Sequence, residues 1–155
     1  MNRDVAQSAR ASEIALNQLM IPEHANALGN VHGGVIMKMV DEAGAIAAMR
    51  HARLPCVTIA VDSMIFKQPV HVGQLMVCQA RVSYVGRSSI EVQVLVHAEN
   101  LLTREVTHTN SAYLVYVALG PDGKSSAAPP LLLETDEDRA LAAAGAERQR
   151  HRLGR

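Results

Sequence analysis

Two stretches of this sequence carry groups that can do chemistry. The first is Gly29-Asn30-Val31-His32-Gly33-Gly34, which runs directly into an apolar segment, Val35 to Met49, reading VIMKMVDEAGAIAAM. If that segment is a helix, its first N–H groups have no intrahelical partner and point outward. Groups of this kind bind anions, or the oxygen of a carbonyl that becomes negative during acyl transfer. Glycines at 33 and 34 let a ligand approach the backbone closely. A plain glycine-rich turn into a helix accounts for the same residues. The second stretch contains Asp41, about two helical turns past Gly34. A carboxylate inside an apolar helix is costly unless it is paired or used. Lys38 is a structural partner at one turn's distance, but Glu42 stands four residues from Lys38 and competes for it. A carboxylate freed in this way and taken out of water is a stronger general base.

A third candidate is the turn Val85-Gly86-Arg87-Ser88-Ser89. Arginine beside small hydroxyl residues makes a phosphate clamp, although an ordinary hairpin turn has the same composition. Other chemistries find no support. The seven histidines, at 24, 32, 51, 71, 97, 108 and 151, show no HExxH or paired metal spacing, so no metal site is expected. There is no GxSxG elbow. Cys56 and Cys78 sit in apolar strand-like surroundings and read as core thiols, not nucleophiles. With 15 basic and 15 acidic residues the chain lacks the basic excess of a nucleic-acid binder.

The elements that must position these groups follow from the pattern. Val35–Met49 has no proline and is rich in Ala and Met. A helix this apolar on nearly every side is expected to be buried all round, with Met37, Met39 and Met49 packing in the core. Pro55 follows its end. Ile14 to Met20 reads as a short strand. Period-two alternation then marks strands through Val57–Ile65, Met76–Tyr84, Ile90–His97 and about Glu105–Leu119, separated by turn residues. Consecutive strands with short connections argue an antiparallel sheet. Residues 1–12 read as a polar, flexible start. From Thr135 the tail reads as a polar helix, capped by Thr135, acidic in its first turn and basic at its end, and solvent-exposed. The expected architecture is α+β, one central helix against one antiparallel sheet in a domain spanning 13–135, followed by a polar helix or tail over 136–155. A sheet of this kind keeps a long edge strand, and pairing with a second copy covers such edges.

The stretch Ala25 to His51, ANALGNVHGGVIMKMVDEAGAIAAMRH, resembles the hotdog-fold acyl-CoA thioesterases, in particular the bacterial YciA-like enzymes and the two-domain brain acyl-CoA hydrolases of animals. The resemblance continues through VTIAVDSMIFKQPVHVGQ, GRSSIEVQVLV and NSAYLVYVAL, covering roughly 14–135. It implies a long helix wrapped by a curved sheet. It also implies homodimers that pair edge to edge, further assembled as trimers of dimers into hexamers, with active sites built from both partners. By this resemblance Asn30 of one subunit and Asp41 of the other form the catalytic pair, and Gly86, Arg87, Ser88 and Ser89 contact coenzyme A, helped by Lys67.

The mechanism implied is hydrolysis of acyl-CoA to free fatty acid and coenzyme A. The backbone at His32, Gly33 and Gly34 holds the oxyanion, and Asp41 serves as general base or as nucleophile. No resident cofactor is expected, since coenzyme A enters and leaves as part of the substrate. The alternatives are another hotdog activity (a carrier-protein thioesterase or a hydratase) and a non-catalytic acyl-CoA sensor. Met1 to Ala11 shows no apolar signal region, and no apolar run reaches the length of about 20 residues that spans a bilayer. The expected compartment is the cytoplasm, with no membrane or nucleic-acid partner and a role in fatty acid metabolism.

Overall fold

The computed structural model describes residues 4–154. In chain order the elements are β1 (Gln7–Ser8), α1 (Ala9–Ser12), β2 (Ile14–Leu19), a 3-10 turn (Pro22–His24), α2 (Gly33–Ala52), β3 (Cys56–Phe66), β4 (Leu75–Val85), β5 (Ser89–Glu99), β6 (Val106–Ala118), β7 (Leu131–Leu132) and α3 (Asp136–Arg152). Five strands form an antiparallel sheet in the order β2-β4-β5-β6-β3. β1 and β7 pair separately, in parallel.

Alternation along the long strands sends Met76, Cys78, Ala80 and Val82 of β4 to one face, with Val92, Val94 and Val96 of β5 and Ala112, Leu114 and Tyr116 of β6. There they meet Ile36, Met39, Val40, Ala43, Ala47 and Ala48 of α2 in one core. Small residues at 43, 44, 47 and 48 bring the helix axis close to the sheet. The helix ends at Arg53, which takes a left-handed conformation, φ 54°, and Pro55 prevents its continuation.

The sheet covers only one side of α2. Met37, Lys38, Glu42, Met49 and Arg50 are exposed in the single chain, so the helix is not buried all round and only Met39 of its three methionines is in the core. The edge strand β3 is open in the same way: Val57, Ile59, Val61, Ile65 and Phe66 are all exposed. Apolar side chains beside unpaired strand backbone make a surface suited to further pairing.

Both ends of the chain depart from the sequence expectation. Residues 1–3 lie outside those described, but Gln7 to Ser12 are built into the fold. Gln7 and Ser8 pair with Leu131 and Leu132, Ala9 and Ser12 are buried, and Arg10 bonds to Glu134 and Asp138. The tail helix α3 is likewise not a free polar tail. It docks on the sheet face opposite α2, where the Cβ of Tyr84 sits against Gly145. The docking is largely ionic. Asp138 pairs with Arg81 at 2.5 Å, Arg148 holds the buried Glu91 at 2.8 Å and lies 3.7 Å over the Tyr113 ring, and Arg152 meets Asp62 at 2.7 Å. Hydropathy gives no sign of such an interface because almost none of it is apolar.

Asp138 also closes the N-terminus of α3, accepting from the N–H of Glu134 and Thr135 while Thr135 Oγ1 accepts from its own N–H. Desolvation alone would raise its pKa, but the Glu134 N–H, the Arg10 guanidinium and the Thr135 N–H together hold it at about 2. A carboxyl depressed in the folded state stabilises the fold above its unfolded value near 3.8, and that contribution is lost as pH falls towards 2. Asp138→Ala is expected to destabilise the protein by about 1–3 kcal/mol, through the lost cap and the loss of the shortest of the ion pairs that Arg81 makes. Thermal melts read this at neutral pH, and the difference from the parent protein should shrink between about pH 4 and pH 2.

Candidate active site

Asp41 is the acid the sequence singled out, and the fold gives it specific partners. It is half-buried on α2, facing β3 and β6. Its Oδ1 accepts from Thr58 Oγ1 at 2.7 Å and from the Tyr116 hydroxyl at 3.0 Å. The same hydroxyl lies 2.9 Å from the Asp41 main-chain oxygen. Thr58 and Tyr116 face each other in the β3–β6 ladder, so strand register delivers both donors to one carboxylate oxygen. Burial first, and then the Asp41 charge, push the Tyr116 phenol far above its ordinary pKa, so it remains a donor. Oδ2 makes no hydrogen bond among the described residues. Lys38 does not pair with Asp41; it reaches Glu42 at 4.0 Å, with both side chains exposed.

Thr58 and Tyr116 are functional candidates the sequence did not reveal. Their chemistry depends on cross-strand register, and bulges between Thr58 and Ala60 and between Val61 and Ser63 break the alternation that would have assigned faces along β3.

The glycine-rich stretch lies elsewhere. Val31 donates to Val70, and Asn30 bridges to His71, so the loop before α2 is fastened to the segment joining β3 and β4. Gly33 backs onto Phe66 at the end of β3, whereas Asp41 backs onto Thr58 near its start. Gly33 and Asp41 are separated by about 12 Å along the helix axis. Across the sheet, the row holding Tyr116 and Ile90 is about 20 Å along β5 from the row holding Asn110 and Val96, on the Phe66 side. A single chain therefore does not bring Asn30 to Asp41.

Within the loop, Asn26 has the more committed geometry. Its Oδ1 accepts from the N–H of Leu28 and of Asn30, and its own N–H donates to Asn30 O. This fixes the carboxamide and leaves its NH2 free to donate. The Asn30 carboxamide makes no hydrogen bond among the described residues. The backbone donors expected at His32, Gly33 and Gly34 are reduced to one. His32 N–H donates to His24 O, and the Gly34 N–H is taken by His32 Nδ1, which caps the helix. Only the Gly33 N–H remains unpaired among the described residues. An imidazole cap is not among the usual N-cap types, which is why the sequence left both glycines open.

The turn Gly86–Ser89 closes β4 to β5 with Gly86 N–H donating to Ser89 O, and Gln149 of α3 packs over it. Ser89 pairs with Val117, one row from Tyr116, so the turn lies at the Asp41 end of the sheet. Arg87 is exposed and makes no ion pair among the described residues. Lys67 follows β3 at the opposite end, with its N–H on Thr109 O. Arg87 and Lys67 thus do not share a site within one chain.

Cys56 and Cys78 are free, and burial pushes them up to about 11 and about 12, which makes both poor nucleophiles near neutral pH. No group of three metal-ligating side chains occurs among the described residues, and no described helix is long and apolar enough to cross a membrane. Two cavities of about 460 and 230 Å³ lie away from Asp41. The larger one is lined by Glu13, Glu137 and an already paired Arg81, an environment unsuited to a polyphosphate. The open space at Asp41 is the unpartnered flank of α2 and β3.

Comparison with known proteins agrees with this layout. Residues 28–104 match the family described as the thioesterase superfamily. Protein VdlD of Helicobacter pylori is 35% identical over 122 residues, spanning 79% of this chain and 70% of its own. A hexameric acyl-CoA thioesterase solved without ligand superposes with a TM-score of 0.92 at 33% identity, over 97% of this chain and 96% of its own. An acyl-CoA hydrolase from Staphylococcus aureus, solved with butyryl coenzyme A and coenzyme A, gives 0.89 at 30% identity, over 96% and 91%. The Staphylococcus protein has also been solved as alanine variants at an asparagine, at an aspartate fifteen residues later, and at a threonine seventeen residues after that. In this chain Asn26, Asp41 and Thr58 stand at the same intervals. The α+β layout of one long helix on a five-stranded antiparallel sheet is the hotdog fold, and the chain belongs to the thioesterase superfamily.

Proposed function

We propose that this protein hydrolyses acyl-CoA thioesters to free fatty acid and coenzyme A, in active sites each completed by a second copy of the chain. The observation that carries the reading is Asp41: a carboxylate with one oxygen saturated by Thr58 and Tyr116 and the other free, on the open flank of the molecule. Likeness to acyl-CoA thioesterases over nearly the whole chain supports the same substrate class.

In this reading two copies join through their β3 edges, which covers Val57, Ile59 and Val61 and sets the Asn26–Gly33 loop of one copy against Asp41 of the other. Three such dimers assemble further as a trimer of dimers, which gives the six chains of the hexameric acyl-CoA thioesterase that superposes on this chain. The Gly33 N–H polarises the thioester carbonyl and holds the developing oxyanion. Asp41 Oδ2 either takes a proton from the attacking water or attacks the carbonyl itself to give an anhydride that water then opens. The amide comes from the loop of the second copy. Its fixed geometry and its interval from Asp41 favour Asn26 over Asn30, with Asn30 holding Asn26 in place. The coenzyme A thiolate leaves readily and needs little acid assistance. Arg87, whose turn lies at the Asp41 end of the sheet, and Lys67 of the second copy supply charge for the phosphates. Coenzyme A enters as part of the substrate and leaves as a product, and is not a resident cofactor. A reducing cytoplasm suits the two free thiols.

The test is coenzyme A release from a panel of acyl-CoAs. Asp41→Asn is expected to lower kcat on the order of a hundredfold to ten-thousandfold, and near-parental turnover in a folded Asp41→Asn protein would rule the assignment out. Asn26→Ala should lower kcat far more than Asn30→Ala; the reverse order would return the amide role to Asn30. Co-expressing Asp41→Asn with Asn26→Ala, each inactive alone, should restore up to roughly a quarter of parental activity. Random pairing about a two-fold axis gives half of the dimers one intact site. Absence of any recovery in proven mixed dimers would mean that each site lies within one chain. Ile59→Lys on β3 should yield inactive monomers by solution mass measurement.

A further inference from the structure

We infer that Tyr116 is a positioning residue for Asp41, and that Gly44 exists to admit its hydroxyl. The inference rests on the reading of Asp41 as the reacting carboxylate. Tyr116 is fully buried near the C-terminal end of β6, yet its hydroxyl, the one polar atom of its side chain, is directed at α2. There the phenolic proton is shared between the Asp41 main-chain oxygen at 2.9 Å and Oδ1 at 3.0 Å. A donor that grips both the backbone and the carboxylate of one residue fixes that residue's side-chain torsion. Thr58 alone fixes only where Oδ1 sits. With both donors on Oδ1 the carboxyl plane is set, and Oδ2 is the oxygen left for water or substrate.

The hydroxyl reaches this point only because residue 44 has no side chain. A Cβ built on Gly44 would lie 2.3 Å from the Tyr116 hydroxyl oxygen and 3.0 Å from the ring carbon that bears it. Glycine in a helix interior is disfavoured relative to alanine, and Gly44 lies in a helix that otherwise uses alanine at 43, 45, 47 and 48. Its φ is not in the left-handed region, so backbone geometry does not require it. The close approach of Tyr116 does. The Asp-Glu-Ala-Gly run at 41–44 is therefore one device: an acid, and one turn later the gap through which its orienting donor enters.

The experiment is a double-mutant cycle, read as kcat, KM and pH profile in the full assembled protein. Tyr116→Phe should lower kcat about ten- to a hundredfold with KM little changed. It should also move the acid limb of the kcat profile to higher pH, because a donor to the charged carboxylate is gone. Gly44→Ala should do the same by displacing the hydroxyl. In the Tyr116→Phe background its effect should be smaller, because the 2.3 Å contact with the hydroxyl oxygen is gone and only the tight contacts with two ring carbons, at 3.0 and 3.1 Å, remain. Parental kcat and pH profile in Tyr116→Phe, alongside an inactive Asp41→Asn, would overturn the inference while leaving the catalytic reading standing. A lowered kcat with an unmoved pH profile would assign Tyr116 a packing role and overturn it equally. An active Asp41→Asn would instead remove the reading beneath it. Should Tyr116→Phe not fold, Gly44→Ala alone decides: unaltered kinetics would refute the device.

Discussion

A carboxylate set into an apolar helix has to be solvated by something, and in this protein the solvation of Asp41 dictates much else. Its two donors come from different strands, β3 and β6, and reach one oxygen only in the register that places Thr58 opposite Tyr116. A slip of β3 by one residue would send Thr58 to the other face, away from Tyr116 and Asp41. The helix must lie close enough for a phenol to reach its backbone, which the small residues at 43, 44, 47 and 48 allow. Packing and chemistry thus impose the same condition on the same residues. The free Oδ2 then faces the side of the molecule where neither α2 nor β3 is covered.

That flank also explains why the single chain looks unfinished. The loop that carries Asn26 and the unpaired Gly33 N–H is pinned to the far end of the sheet by Val70 and His71. Polar groups suited to one reaction are thus split between two ends of one fold, while the strand between them presents a row of aliphatic side chains to solvent. A two-fold partner across that strand would resolve both features together, since an isologous contact that buried the row would also set opposite ends side by side.

How much of this was legible in the sequence varied with the kind of interaction. The helix and the four long strands followed from periodicity, and Asp41 stood out because it breaks an apolar pattern at a cost that needs a reason. Its donors did not stand out: threonine and tyrosine are ordinary strand residues, and only the ladder, with two bulges in β3, decides which way they face. Within the loop, Asn30 sits in the more recognisable glycine-rich run, whereas Asn26 is distinguished only by the bonds its side chain makes to the turn. The glycine N–H groups could not be told apart until His32 was seen to occupy one. The docking of α3 was invisible because charged pairs, not an apolar stripe, attach it. Glu91 reads as a solvent-facing residue of β5, yet it is 3% exposed beneath Arg148.

The parallel pairing of β1 with β7 joins segments more than a hundred residues apart into one outer layer. Arg10 and Asp138 bind that layer to itself, and Arg81 binds it to the sheet. Of these residues only Arg81 belongs to the five-stranded ladder, and Leu131 packs against the aliphatic core. The molecule is thus built as a kernel and a rind, with Asp41 in the kernel. Loss of one end of the rind would take the β1–β7 pairing and the Arg10–Asp138 pair away from the other, so substitutions at these positions are coupled across the length of the chain.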